Sequence, residues 1–407
     1  MMKTKQIMVL ALILVILAGL GNSVAYAASL CVHPTGAGRC FTSIQAAVDS
    51  ASSGDQIIIR AGTYVEQVTI SGKDLTLVGR PGALIQAPAE MQDTLSPVFG
   101  FPGRPVLLVN DAEVTVRDLI IDGANSAEGN PFLQGIVFLN AGGVIRGNVV
   151  KNIGFGEPRL PLDENGFPVY QGDGIVVINF LGTPRAVAIM DNQVLNFNNN
   201  GILVDAEADF NNPAAANLSV QVMNNTVVGS GQNGVIDQWG VFIGGFGFAD
   251  PSFSITGTIR GNRIRDIVTV GDYPLPSVGI VMFNPYHLEV TQNTIDNVNV
   301  GFVANQVVSA QIHHNVVVGP GPDAFGSSGL MISGMDSYVT KNRFRKLDAG
   351  VLLSVDDPQL GSAVNIVLDD NNFDQVAADM MTSPGAPMAL AATDAKGTSS
   401  WAKLPHR

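Results

Sequence analysis

The chain has 407 residues, a formal net charge of −13, 45 glycines, 14% charged residues and two cysteines. The acidic balance argues against nucleic acid and anionic lipid as partners. It also opposes polyanionic glycans such as pectin or alginate unless a cation bridges them. The high glycine and low charge suit many tight turns around a thin apolar interior, unlike a helical protein.

Residues 1–27 read as a secretory signal peptide. Lys3 and Lys5 form a basic start, Ile7 to Leu20 is apolar, and Ala25-Tyr26-Ala27 supplies small residues at a cleavage point. Loss of the two lysines takes the charge from −13 to −15. The apolar run is too short for a confident membrane span, and Leu30 before Cys31 breaks a lipidation motif. The expected location is secreted or extracytoplasmic, without membrane insertion. Cys31 and Cys40, with eight residues between them, then read as a disulfide.

Next in the chain, Thr42-Ser43-Ile44-Gln45 reads as a capping box that opens a short helix. Ile44, Val48 and Ala51 share one face of it. Residues 41–52 are therefore expected to form an N-terminal lid. Strands follow at Ile57–Arg60, Val68–Ile70, Leu75–Val78 and Val114–Ile121.

From residue 135 onward two short patterns alternate. Gly, apolar, variable, apolar begins at Gly135, Gly174, Gly201, Gly240, Gly279, Gly301, Gly329 and Gly350. Apolar, two variable residues, Asn, variable, apolar carries Asn148, Asn192, Asn225, Asn262, Asn293, Asn315, Asn342 and Asn371. Eight of each in strict alternation define a repeat, and the shortest Asn-to-Asn spacing is 22 residues. That is one turn of an all-β, single-stranded right-handed parallel β-helix, a solenoid of at least eight rungs with a short N-terminal capping α-helix. Alternate residues such as Ile136 and Phe138 should fill the interior. Each repeat glycine is expected at a corner with positive φ, and each Asn at a corner where stacked side chains bond along the axis. The rungs form one domain, residues 28–376. Residues 377–407, rich in Ala, Pro, Gly, Ser and Thr, are expected to be a flexible tail.

The segment 41–70 (FTSIQAAVDSASSGDQIIIRAGTYVEQVTI) resembles the N-terminal entry of pectin-lyase-like β-helix proteins, including pectinesterases. With the repeats, the resemblance spans residues 41–376. It implies the fold, and a range of roles on polysaccharide: lyase, hydrolase, esterase, epimerase, glycan binding or surface structure. Gln92-Asp93-Thr94-Leu95 and Gly103-Arg104-Pro105 look like two pectinesterase motifs. In that family the Asp acts on the ester and the Arg binds substrate. Here they lie within 14 residues, ahead of the first regular rung, and the motif that carries the nucleophilic Asp is missing. They are read as a coincidence of sequence.

Insertions locate a site. The shortest Asn-to-Gly gap is 8 residues, but Asn148 to Gly174 is 26 and Asn262 to Gly279 is 17. The shortest Gly-to-Asn gap is 13, but Gly201 to Asn225 is 24. Long loops thus flank the Gly-led strand in the middle rungs and would wall a groove. Its outward residues by alternation are Val176, Ile178, Leu203, Asp205, Phe242, Gly244, Val281 and Phe283. This apolar set implies a cover: the loops themselves, a second copy of the chain, or a ligand.

Carboxylates on these loops are the candidate chemistry. Asp173, Asp205 and Asp237 are candidate catalytic groups, as a pair acting on a glycosidic bond. Asp205, Glu207 and Asp209 read first as a solvated acidic loop, with a Ca²⁺ set as the candidate alternative. Tyr170, Trp239, Phe242 and Tyr273 are candidate sugar-stacking residues. A lyase would need a base and charge neutralisation, for which only Arg159 and Arg185 are at hand. His313 and His314, being adjacent, should point to opposite sides of their strand and hold no metal. Residues 341–346 (KNRFRK) read as a solvated basic patch. The leading expectation is carboxylate-based glycoside hydrolysis on extracellular polysaccharide; the alternative is a non-catalytic glycan-binding or surface-structural protein.

Overall fold

A computed structural model describes residues 27–98, 101–127, 130, 132–154, 172–206, 217–233, 238–244, 254–270, 276–321, 327–354 and 363–382. Residues 1–26, residues 383–407 and much of the inserted middle-rung segments lie outside these residues.

The chain is a single-stranded right-handed parallel β-helix with three strand stacks. One stack is a twelve-stranded parallel sheet that runs from Ser29–Val32 to Val367–Asp369. Its later strands lead into the repeat asparagines. A second stack follows each asparagine, as in Val149–Ile153, Gln193–Phe197 and Thr294–Val298. The third is led by the repeat glycines and includes Leu133–Leu139, Asp173–Asn179, Asn200–Ala206, Trp239–Gly244 and Val278–Phe283. The interior is one continuous core, filled by Ile136, Phe138, Ile145, Val150 and their counterparts on every rung.

The asparagines form an unbroken ladder. Oδ1 of Asn192 accepts from the backbone N–H and Nδ2 of Asn148 at 3.0 and 3.1 Å. The same pair of bonds recurs from Asn192 to Asn225, and so on to Asn371. Each Nδ2 also donates to a carbonyl one rung earlier, Ile145 for Asn192 and Ile189 for Asn225. The side chain therefore satisfies corner backbone groups that no strand can reach. The residue before each ladder asparagine takes a left-handed φ: Gly147, Asp191, Asn224, Gly261, Gln292, His314, Lys341 and Asp370, between 53° and 66°.

The repeat glycines differ from expectation. None has positive φ. A Cβ on Gly201 would stand 2.4 Å from Val227 Cγ1 and 2.6 Å from the Gly240 carbonyl oxygen, and Gly135, Gly174, Gly240, Gly279, Gly301, Gly329 and Gly350 are equally crowded. Glycine is required here because successive rungs approach too closely for a side chain.

The N-terminal end is closed by the helix Ile44–Ser50, whose Ile44, Ala47 and Val48 are buried against the first rungs. Ser43 is its N-cap. The reciprocal partner expected from Gln45 is instead Glu66, which accepts from Ile44 N–H, Gln45 N–H and the Ser43 hydroxyl. Gln45 pins the helix to Thr69 through its Oε1 and Nε2. The Cys31–Cys40 disulfide is formed. Val114–Ile121 is two strands, Glu113–Arg117 and Ile120–Asp122, because Asp118 turns the corner at φ 60°. Leu119 occupies the ladder position there, and its N–H donates to Asn148 Oδ1. At the other end the strand Asn372–Thr382 pairs through Leu353↔Thr382, so residues 377–382 continue the solenoid past the expected boundary at 376.

Asn225→Ala would strand the N–H and Nδ2 of Asn192 and the Ile189 carbonyl inside the protein. We expect a loss of about 3 kcal/mol, against about 1 kcal/mol for Asn371→Ala at the ladder's end. Guanidinium unfolding midpoints measure the difference; equal losses would mean the ladder does not act as a chain.

Candidate functional site

The Gly-led stack carries a second apolar layer on its outer side. Leu108, Val137, Val176 and Ile178 form one cluster; Phe242, Val278, Val281 and Val300 form another, with Leu203 packed against both. Val176 is 1% exposed and Phe242 0%. The centre of the face is thus buried, in line with the expectation that it has a cover, while Leu203, Phe283, Val303 and Met331 at its margin are only partly buried. Phe242 lies beneath the surface, stacked between Trp239 at 5.4 Å and Phe283 at 5.9 Å, and is not a sugar platform.

Polar groups gather at the start of this stack, one residue before the repeat glycines. Gln134, Asp173, Asn200 and Trp239 occupy one column on four successive rungs. Asp173 Oδ1 accepts from Asn200 N–H at 3.1 Å and Asn200 Nδ2 at 2.8 Å. Burial pushes the Asp173 carboxyl up from the usual carboxylate range, opposed by hydrogen bonds from Asn200, Asn199 and Gln134. Gln134 Oε1 and Asn200 Oδ1 are buried acceptors without a donor among the described residues. Trp239 closes the column and is partly exposed. Beside it, an amide-rich rim links Asn196 Nδ2 to Asn152 Oδ1 at 3.0 Å and Asn152 Nδ2 to Asp122 Oδ1 at 3.0 Å.

The expected carboxylates do not converge. Asp205 pairs in register with Ile178, five residues along the strand from Asp173. At about 3.3 Å per residue the two are about 16 Å apart, and Asp205 is 1% exposed. Asp237, Glu207, Asp209, Tyr170, Tyr273 and Arg159 lie outside the described residues. Among the described residues no group of three or more His, Cys, Asp or Glu could hold a metal ion. Arg185 belongs to the stack that precedes the asparagines and pairs with Glu113 at 3.3 Å. Asp93 and Arg104, the residues of the pectinesterase-like motifs, form an ion pair at 2.7 Å across the antiparallel hairpin Leu95–Val98 and Phe101–Asn110. Their proximity in sequence serves that hairpin.

Gln134 and Asn200 were not among the expected site residues. Their signal is the pre-glycine position itself, which reads Gln, Asp, Asn, Trp when the rungs are aligned.

No protein-family model matches the chain, and no curated protein matches it. Among solved structures it is similar to a pectin methylesterase in complex with hexasaccharide VII, at 11% identity over 90% of this chain and 92% of that one, TM-score 0.39. It is similar to a GH136 lacto-N-biosidase from Eubacterium ramulus, at 13% identity over 85% and 68%, TM-score 0.42. An alginate lyase from Paenibacillus sp. str. FPU-7 gives 13% identity over 86% and 99%, TM-score 0.42. At these identities and scores the likeness transfers no activity.

The raised Asp173 sets a pH dependence. Its folded pKa lies above the ordinary value of 3.8, so its contribution to stability is fully present below the unfolded pKa and is lost as pH rises through the folded one. Asp173→Asn removes that loss. The stability of the variant relative to the native chain should therefore grow from pH 4 upward and then level off. Unfolding midpoints across pH 3–8 test this; a flat difference would assign Asp173 an ordinary pKa.

Proposed function

We propose that the protein engages neutral extracellular polysaccharide along the Gln134–Asp173–Asn200–Trp239 column, and that it holds the glycan rather than cleaves it. The observation that carries this reading is the column itself. It presents the partly exposed amide of Gln134 and carboxyl of Asp173, which can hydrogen-bond sugar hydroxyls, in line with a partly exposed Trp239 indole able to stack on a sugar ring. The acidic net charge favours a neutral glycan over a polyuronate. An extracytoplasmic location is supported by the Cys31–Cys40 disulfide. No helix among the described residues is long and apolar enough to cross a membrane.

Holding is favoured over hydrolysis because paired-carboxylate cleavage needs two carboxyl groups about 5–10 Å apart. Asp205 is about 16 Å from Asp173 by strand rise. A second reading, glycoside hydrolysis, has one observation behind it: Asp173 has the raised pKa of a general acid. Asp237, two positions before Trp239, would then be the second carboxylate. A Ca²⁺ ion on Asp205, Glu207 and Asp209 remains a proposal for the opposite end of the strand.

The test uses residues 28–407 with neutral and acidic glycans, with and without Ca²⁺, following binding, reducing ends and unsaturated-product absorbance together. We expect binding to a neutral glycan without new reducing ends, weakened about tenfold by Trp239→Ala. Reducing ends that vanish in Asp173→Asn would establish the hydrolase. Unsaturated products would overturn both readings.

A further inference from the structure

The geometry points to a second site, a copper(II)-binding histidine pair on the outer face of the twelve-stranded sheet. Adjacent strand residues ordinarily point to opposite faces. His314, however, precedes the ladder residue Asn315 and takes the corner conformation at φ 55°. That turn brings its ring back beside His313, contrary to the expectation from sequence. The two Nδ1 atoms stand 2.9 Å apart and the rings meet edge to face at 5.1 Å.

The surroundings prepare His313 as a ligand. Glu289 Oε1 lies 3.3 Å from its Nε2 and engages that nitrogen. This leaves Nδ1 facing His314, in the carboxylate–histidine arrangement that orients metal-binding imidazoles. Thr291 Oγ1 is 3.1 Å from the same Nδ1, on a residue only 4% exposed. His314 is exposed, so the pair opens to solvent.

The ligand type, two imidazole nitrogens, favours copper(II). Two nitrogens bound at about 2.0 Å and 90° to each other stand about 2.8 Å apart; at the tetrahedral angle they stand about 3.3 Å apart. The 2.9 Å between them is a hydrogen bond in the metal-free protein, and once an ion displaces the shared proton both nitrogens lie close enough to take adjacent positions on it. Copper(II) also binds nitrogen sites most tightly among the divalent first-row ions. Water would fill the remaining positions. Lys341 follows Thr340, which pairs with His313, so it stacks above His314. It is exposed, and its charge opposes the ion from the solvent side.

The experiment titrates the metal-free mature protein with copper(II) chloride against a glycine competitor, by calorimetry and electron paramagnetic resonance. One tight equivalent with hyperfine coupling to two imidazole nitrogens is expected. His314→Asn keeps the left-handed turn, since Asn tolerates it, and should weaken binding by at least about tenfold. His33→Asn and His287→Asn should leave it unchanged. Unaltered binding in His314→Asn, or zinc bound as tightly as copper, would overturn the assignment.

Discussion

The structure depends on how a repeating corner disposes of its polar backbone. A parallel strand leaves N–H and carbonyl groups stranded wherever the chain bends, and the core on the inner side offers them no partner. The asparagine ladder meets this need with one side chain on each rung from Asn148 to Asn371. Its Oδ1 takes two donors from the rung before, and its Nδ2 spans to a carbonyl there and to the next asparagine. Because each asparagine is held by both neighbours, the ladder ties rung to rung along the axis. The left-handed residue before each asparagine has a conformational cost of its own, which the ladder bonds offset.

The glycine column sets a complementary limit. Where the asparagine corner is held by bonds, the glycine column is held by contact, with carbonyl oxygens of one rung against the α-carbons of the last. This close approach fixes the register of the Gly-led stack. It is also why the residue before each glycine falls into a straight column, so that amide, carboxyl, amide and indole are presented in order. Farther along, the same column runs through Val278, Val300, Ser328 and Ala349, so the amide, carboxyl and indole groups belong to the early rungs.

Burial then divides the acidic residues by role. Asp173 sits among amide donors with its carboxyl pushed toward the neutral form. Asp205, on the next rung but at the far end of the strand, lies buried at the edge of the outer apolar layer. That layer, centred on Val137, Val176 and Phe242, makes the Gly-led sheet apolar on both faces. A parallel sheet sandwiched in this way is rigid, and it leaves the polar column at its edge as the accessible feature.

Much of this was legible in the residues alone. Strict alternation of the Gly and Asn patterns determined the solenoid, its inward residues and the stacking of the asparagines, because a short period admits one way to close each turn. The disulfide and the capping helix followed from equally local signals. Tertiary structure decided what depends on neighbours in space. It showed that the glycines answer a clash with the next rung rather than a torsional need, and that Glu66 completes the helix cap across 22 residues. It also separated Asp173 from Asp205, which strand alternation alone had left on one groove. His313 and His314 were brought together by the same corner rule that builds the ladder. Sequence spacing orders residues along the chain, but distance between side chains on different rungs exists only once the rungs are stacked.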